Sequence, residues 1–273
     1  MEKTPRRILP TVIFILFLIP IIASSLLDLE RKREDRLLQQ EILAEQKAQK
    51  ETLEKIYLMG KFEPAQRRDF RVVPTKYNVG GYQMYLKKET LNAFLNMVKA
   101  ADADGVKLSI ASATRNFNYQ KNLWNNKWTG FILVNGKNLL ETVPNEQERF
   151  KEILKYSAVP GTSRHHWGTD IDINNANSVY FETEKGEGVY AWLTKNAPLF
   201  GFCQPYTLSG TTRPTGYYEE KWHWSYLPLA KTFTEEYKNL ITEKDISGFD
   251  GDKYVPELNL INDYVLGINP DCL

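Results

Sequence analysis

The apolar and polar positions of this chain change rhythm three times. Residues 8–27 carry no charge and are continuously apolar from Val12 to Ile19. As a helix rising about 1.5 Å per residue, such a run spans roughly 30 Å, the thickness of a bilayer core. Pro10 and Pro20 would bend it, which membrane helices tolerate. Residues 28–55 then interleave acids and bases without Gly or Pro. Leu38, Ile42, Leu53 and Ile56 keep helical spacing but no sustained heptad. This predicts a charged helix ending at Gly60, either a solvated spacer or a stalk that self-associates.

From residue 62 to about 237 the pattern is that of a packed domain. Leu91, Phe94, Leu95, Val98 and Ala101 share one face of a predicted helix over 89–103, ended by Asp104 and Gly105. Further helices are predicted over 118–128, 145–156 and 189–197, and a strand over 106–112. The segment 170–173 reads as a short strand with Ile171 and Ile173 on one face, Asp170 and Asp172 on the other. Over 222–226, Trp222, Trp224 and Tyr226 alternate with His223 and Ser225. Helices and short strands without βαβ regularity predict an α+β fold with a small, mainly antiparallel sheet flanked by helices. The expected organisation is a membrane segment over 1–27, a stalk over 28–60, the domain over 61–238 and a tail over 239–273.

Charge and cysteine content sharpen this plan. The 273 residues carry 35 Lys and Arg against 34 Asp and Glu, a net +1, so there is no basic footprint for nucleic acid. Lys3, Arg6 and Arg7 precede the apolar run. That order predicts a single-pass signal anchor in the cytoplasmic membrane, with the domain on the extracytoplasmic side. Cleavage near the small residues Ala23, Ser24 and Ser25 would instead give a secreted protein. Cys203 and Cys272 make no metal motif; they form one disulfide in an oxidising compartment or stay as two free thiols.

The candidate chemistry gathers around the chain's three histidines, His165, His166 and His223. Two imidazoles and one carboxylate suffice for a catalytic zinc, which leaves a position open for water. Gly168 allows a turn between His165 and the strand bearing Asp172, and Asp172 and His223 can face one pocket from neighbouring strands. Glu220, three residues before His223, must lie in the turn entering that strand, where it suits a general base acting on water held by the metal. Trp124, Trp128, Trp167, Trp222 and Trp224 either line a groove or, more simply, fill the core.

Three ordered strings then resemble a known family. Ser163-x-His165-x-x-Gly168-x-x-x-Asp172, Glu220-x-x-His223, and the block from Ser112 through Arg115 to Gln120 look like VanY-type D-alanyl-D-alanine carboxypeptidases, zinc metallopeptidases of family M15. The resemblance covers about 62–226. It implies the fold these peptidases share with hedgehog domains, zinc on His165, Asp172 and His223, and Glu220 as the base. It also implies that Arg115 holds the substrate's carbonyl or terminal carboxylate, and that Ser163 and Gln120 contact the substrate's C-terminal end. The implied substrate is the stem peptide of peptidoglycan. L,D-carboxypeptidase or endopeptidase action, or a non-catalytic envelope-binding module, are the alternatives. Two positions depart from the pattern: Asp170 where the family often has a small apolar residue, and Ser225 where it often has Arg. Asp170 shares a strand face with Asp172 and is read as a surface or structural carboxylate, the other option being a partner that orients a ligand. His166 falls one residue out of register and is not expected to bind the metal.

Overall fold

The computed structural model describes the backbone of residues 10–273 and the side chains from residue 24 onward. The apolar run read as a membrane anchor therefore falls largely outside the described side chains. Among the described residues, no helix is long and apolar enough to cross a membrane. The chain divides into two compact units, residues 1–52 and 53–273.

Helix α1 (Pro10–Leu58) supplies the described part of the first unit, and every side chain from 24 to 50 is exposed. Its mixed charges explain this: no face is apolar enough to bury. The last turn of α1 belongs to the second unit. Leu58 and Met59 are buried there, and Tyr57 Oη donates to the Trp167 carbonyl at 2.6 Å. Gly60 then breaks the helix at φ +71°, where a Cβ would lie 2.5 Å from the His166 ring. Only glycine fits that conformation and that contact together.

The second unit holds a hairpin, a four-stranded sheet and six helices besides the end of α1. Strands β1 (Phe70–Val72) and β2 (Tyr85–Lys87) pair antiparallel. Strands β3 (Ile110–Ser112), β4 (Asp170–Ile173), β5 (Phe202–Cys203) and β6 (His223–Tyr226) form an antiparallel sheet in the order β3-β4-β6-β5. The helices are α2 (Lys88–Ala103), α3 (Phe117–Trp128), α4 (Leu139–Thr142), α5 (Glu146–Leu154), α6 (Glu184–Asn196) and α7 (Leu227–Leu240). Ile171, Ile173 and Trp224 join Phe94, Val98, Val189 and Leu193 in one buried cluster, so α2 and α6 cover one sheet face. The opposite face carries the polar partners of the alternation, Asp170, Asp172, His223 and Ser225.

Three local differences from the sequence reading have physical causes. The strand expected over 106–112 shortens to Ile110–Ser112 because Asn174 takes over the backbone before it. Asn174 Oδ1 accepts from Ser109 N at 2.7 Å, and its Nδ2 donates to the Lys107 carbonyl at 3.0 Å. Helix α6 starts earlier than 189, capped by Thr183, whose hydroxyl accepts from Gly186 N at 3.1 Å. Gly186 belongs there because a Cβ would sit 2.0 Å from the Tyr180 carbonyl oxygen. The segment beyond α7, read as a tail, folds as short 3-10 and π turns and buries Ile246, Phe249, Val255, Val265 and Ile268 with Trp124 and Phe150. Its end is tied by a Cys203–Cys272 disulfide with Cα atoms 5.7 Å apart and 69 residues of separation. A closed loop of that length stabilises by about 4 kcal/mol through the unfolded chain.

Candidate active site

The sheet register builds the site. β4 and β6 pair Asp172 with His223 and Asp170 with Ser225, so four polar side chains stand in a two-by-two block on one face. Ile171 pairs with Trp224 and points the other way. His165 arrives on a single 3-10 turn, Arg164–Trp167, ended by Gly168 at φ +76°. A Cβ on Gly168 would come within 2.5 Å of the Phe70 ring, so this turn needs glycine to return the chain onto β4.

His165, Asp172 and His223 form the one group of three or more His, Cys, Asp or Glu among the described residues that could hold a metal ion, with ligand atoms within 4.8 Å of one another. His165 Nδ1 donates to the Ala113 carbonyl at 2.8 Å, which fixes the tautomer and leaves the Nε2 lone pair facing inward. That Nε2 lies 3.3 Å from Asp172 Oδ1, and His223 Nδ1 lies 3.7 Å from the same oxygen. Ligand atoms around a tetrahedral zinc at ~2.1 Å stand roughly 3.4 Å apart. His165 Nε2 and Asp172 Oδ1 are both buried without a hydrogen-bond partner. Buried polar atoms are rarely left so, and here the missing partner is of cation size and at cation distance. The residues present therefore fit a zinc ion.

Burial and the nearby Arg115 charge hold His165 below its ordinary pKa, keeping it neutral and able to ligate. Burial opposes charge on His223 too, but hydrogen bonds to Asp170 and Glu220 outweigh it and lift its pKa to about 9. Burial would raise Asp172, yet His165 and Arg115 outweigh it and keep the carboxylate ionised well below the usual range.

Around this centre the structure gathers the other sequence candidates. Glu220 lies in the turn entering β6, its Oε2 accepting from His223 Nδ1 at 2.8 Å. Arg115 Nη1 stands 3.7 Å from Asp172 Oδ2, with its Nε unpartnered. Gln120 Nε2 donates to the Ala158 carbonyl at 2.7 Å and leaves Oε1 free of partners. Ser163, Gln120, Arg115 and Glu220 line one cavity with Asp172 and His223. His166 stands apart: its Nδ1 donates to the Arg115 carbonyl at 2.6 Å and its Nε2 accepts from Gly161 N at 3.0 Å. With both ring nitrogens used, and burial pushing its pKa down to about 3, it positions backbone and binds no metal. Trp124 and Trp167 are fully buried core residues, while Trp222 lines the cavity.

Asp170, read from the sequence first as a surface or structural carboxylate and second as a partner that orients a ligand, is fully buried and bonded to His223. Its Oδ2 accepts from His223 Nε2 at 2.9 Å and from Arg164 Nε at 3.2 Å, and its Oδ1 accepts from Thr169 and Ser225 hydroxyls at 2.7 and 2.9 Å. Arg164 completes its donors on Thr234 and Ser225, both at 2.9 Å. Asp170 thus claims His223 Nε2; Nδ1, whose proton Glu220 accepts here, is the atom that would face a bound zinc once that proton is lost, the carboxylate–histidine–metal arrangement that orients a ligand and strengthens it. The two positions that depart from the pattern are in contact: Ser225 Oγ accepts from Arg164 Nη2 and donates to Asp170 Oδ1. The sequence signal was the strand face that Asp170 shares with Asp172.

Parts of this chain are similar to known proteins. The chain is 30% identical over 154 residues to a D-alanyl-D-alanine carboxypeptidase of Enterococcus faecalis, covering 55% of this chain and 51% of that one. It thus spans about half the length of that relative. Among solved structures, VanYB in complex with D-alanine-D-alanine matches at 26% identity, 64% of this chain, 91% of that chain and a TM-score of 0.44. A zinc complex of the D,D-pentapeptidase VanY from a VanB-type resistance cassette matches at 25% identity, 65% and 94% coverage and a TM-score of 0.44. The family model for VanY, described as D-alanyl-D-alanine carboxypeptidase, matches residues 83–229, a span that holds every candidate ligand, the base and Arg115. With more than half of its length matched by that model, the chain belongs to the VanY family.

Proposed function

We propose that the chain is a zinc-dependent D-alanyl-D-alanine carboxypeptidase that removes the C-terminal residue from peptidoglycan stem peptides. The observation that carries this reading is the pair of buried, unpartnered ligand atoms on His165 and Asp172, facing His223 beside Glu220. Zinc held by these three side chains supplies Lewis acidity toward the scissile carbonyl and brings the pKa of an attacking water toward about 7. Glu220 accepts that water's proton and returns it to the leaving amine nitrogen. Arg115 donates to the carbonyl oxygen as negative charge develops there, a contact worth most in a site that excludes water. Gln120 and Ser163 stand where the substrate's C-terminal residue would enter. The purified protein should carry about one zinc per chain. It should release alanine from a pentapeptide ending in D-Ala-D-Ala, and it should lose both properties in His165→Ala. Release from a tetrapeptide stem alone would make the enzyme an L,D-carboxypeptidase. No zinc and no release from either peptide would end the peptidase reading.

We also infer that the domain works outside the cytoplasmic membrane, tethered by its N-terminal segment. The Cys203–Cys272 disulfide supports this, because such bonds persist in oxidising compartments. The basic residues before the apolar run support the same orientation. Protease added to intact spheroplasts should remove the domain. A domain protected until the cells are lysed would place it inside.

A further inference from the structure

We propose that Lys127 seats the terminal carboxylate of the substrate, leaving Arg115 to serve the scissile carbonyl. This rests on the carboxypeptidase reading above.

The cavity at the metal cluster is small, about 140 Å³. At about 30 Å³ per water, that is the room of four or five waters, enough for one small amino acid. It opens into an outer chamber of about 470 Å³, and Lys127, Tyr156, Ala176, Glu220 and Trp222 belong to the walls of both. A peptide with its scissile bond at the metal cluster would place its last residue in the small chamber and its preceding residues in the large one.

The charged groups facing the small chamber are not equivalent. Glu220 is bonded to His223, and Arg115 lies against the ligand carboxylate of Asp172. Lys127 donates to the Ser157 hydroxyl, and none of the ion pairs among the described residues includes it. It follows Gln120 by seven residues on α3, two helical turns, so both side chains leave the same face. The wall opposite is the Ser157–Ala158 segment, which anchors both: the Ser157 side-chain hydroxyl takes Lys127 and the Ala158 backbone carbonyl takes Gln120.

A half-buried ammonium whose hydrogen-bond partner is a hydroxyl is costly to keep charged. Burial, with Arg115 adding to it against Glu220, pushes Lys127 down to about 8. An incoming carboxylate removes that cost by supplying the missing counter-charge. Lysine suits the task as a compact point charge, whereas the planar Arg115 fork already faces the reacting side. The nearby Glu220 is bonded to His223 and forms no ion pair with Lys127, so the site selects a substrate that brings a carboxylate of its own.

The test compares two peptides of one sequence ending in D-Ala-D-Ala, one a free acid and the other a C-terminal amide. The full-length wild type should prefer the acid by about 10- to 100-fold in kcat/KM, the size of one charged hydrogen bond. Lys127→Met should lose that preference, mainly by a higher KM for the acid, while its rate on the amide and its zinc content hold. Lys127→Gln, which keeps a donor for Ser157, guards against a folding defect and should behave the same way. If either variant folds, binds zinc and still prefers the acid as the wild type does, the carboxylate lies elsewhere and the assignment falls. A wild type that cleaves both peptides equally also overturns it while leaving the peptidase reading intact. A wild type that cleaves neither overturns the peptidase reading itself.

Discussion

Glu220→Gln should lower turnover by about 100-fold or more, the usual contribution of a general base, while zinc content and thermal stability stay near those of the wild type. The amide retains the shape of the carboxylate and can still meet His223, but it cannot take a proton from water. The three ligand residues are untouched. The neighbouring Glu219 provides the control. It lines the outer chamber but not the small one, and it lacks the three-residue offset that brings Glu220 Oε2 to 2.8 Å from His223 Nδ1. Glu219→Gln should therefore change kcat by less than about twofold, as a surface substitution does. The measurement is steady-state hydrolysis with metal analysis on the same preparations. Loss of activity in Glu219→Gln, with activity and zinc both retained in Glu220→Gln, would mean that the base is misassigned.

How far the sequence led to this site depends on the scale of the pattern. The alternation in 170–173 and 222–226 is local, so the shared face of Asp172 and His223 could be read without a structure. The cross-strand register that sets them opposite each other follows from the same alternation, because a one-residue slip would send Ile171 and Trp224 to the polar side. Helix α2 was legible for the same reason, having a sustained apolar period. What escaped was tertiary. The Cys203–Cys272 disulfide was one of two readings the sequence left open, but the fold of the last segment that closes it was not legible, because its short turns have no period to read. β1 and β2 are three residues each and owe their pairing to each other. No role for Lys127 was read from the sequence. Its spacing from Gln120 was the available signal, but only the Ser157 wall turns that spacing into burial. Asp170 shows the limit most clearly. Its shared strand face with Asp172 left two readings open, and only the contacts with His223 and with Arg164, six residues earlier, decide between them.

That buried pair yields the largest stability effect expected in the domain. Arg164 and Asp170 side chains are both fully buried, 3.2 Å apart, with the guanidinium 4.7 Å above the Trp167 ring. The charge of Arg164 and the hydrogen bond from His223 outweigh the cost of burial and hold Asp170 ionised far below the usual carboxylate range. Arg164→Met removes the cation and strands the anion, a change that costs about 3–5 kcal/mol in a buried pair. For a domain of this size that is a fall in Tm on the order of 10 °C. Adding Asp170→Asn removes the stranded charge while keeping a polar group for Thr169, Ser225 and His223, so the double variant should recover most of the lost Tm. Its zinc affinity should not recover. A neutral amide polarises His223 less than a carboxylate does, and losing such a partner typically weakens a metal site by about 10- to 100-fold. Thermal melts and competition against a chelator of known affinity separate the two effects. If the double variant binds zinc as tightly as the wild type, Asp170 serves the fold alone. If Arg164→Met melts where the wild type does, the pair carries no net charge burden, and Asp170 must be balanced by His223 instead.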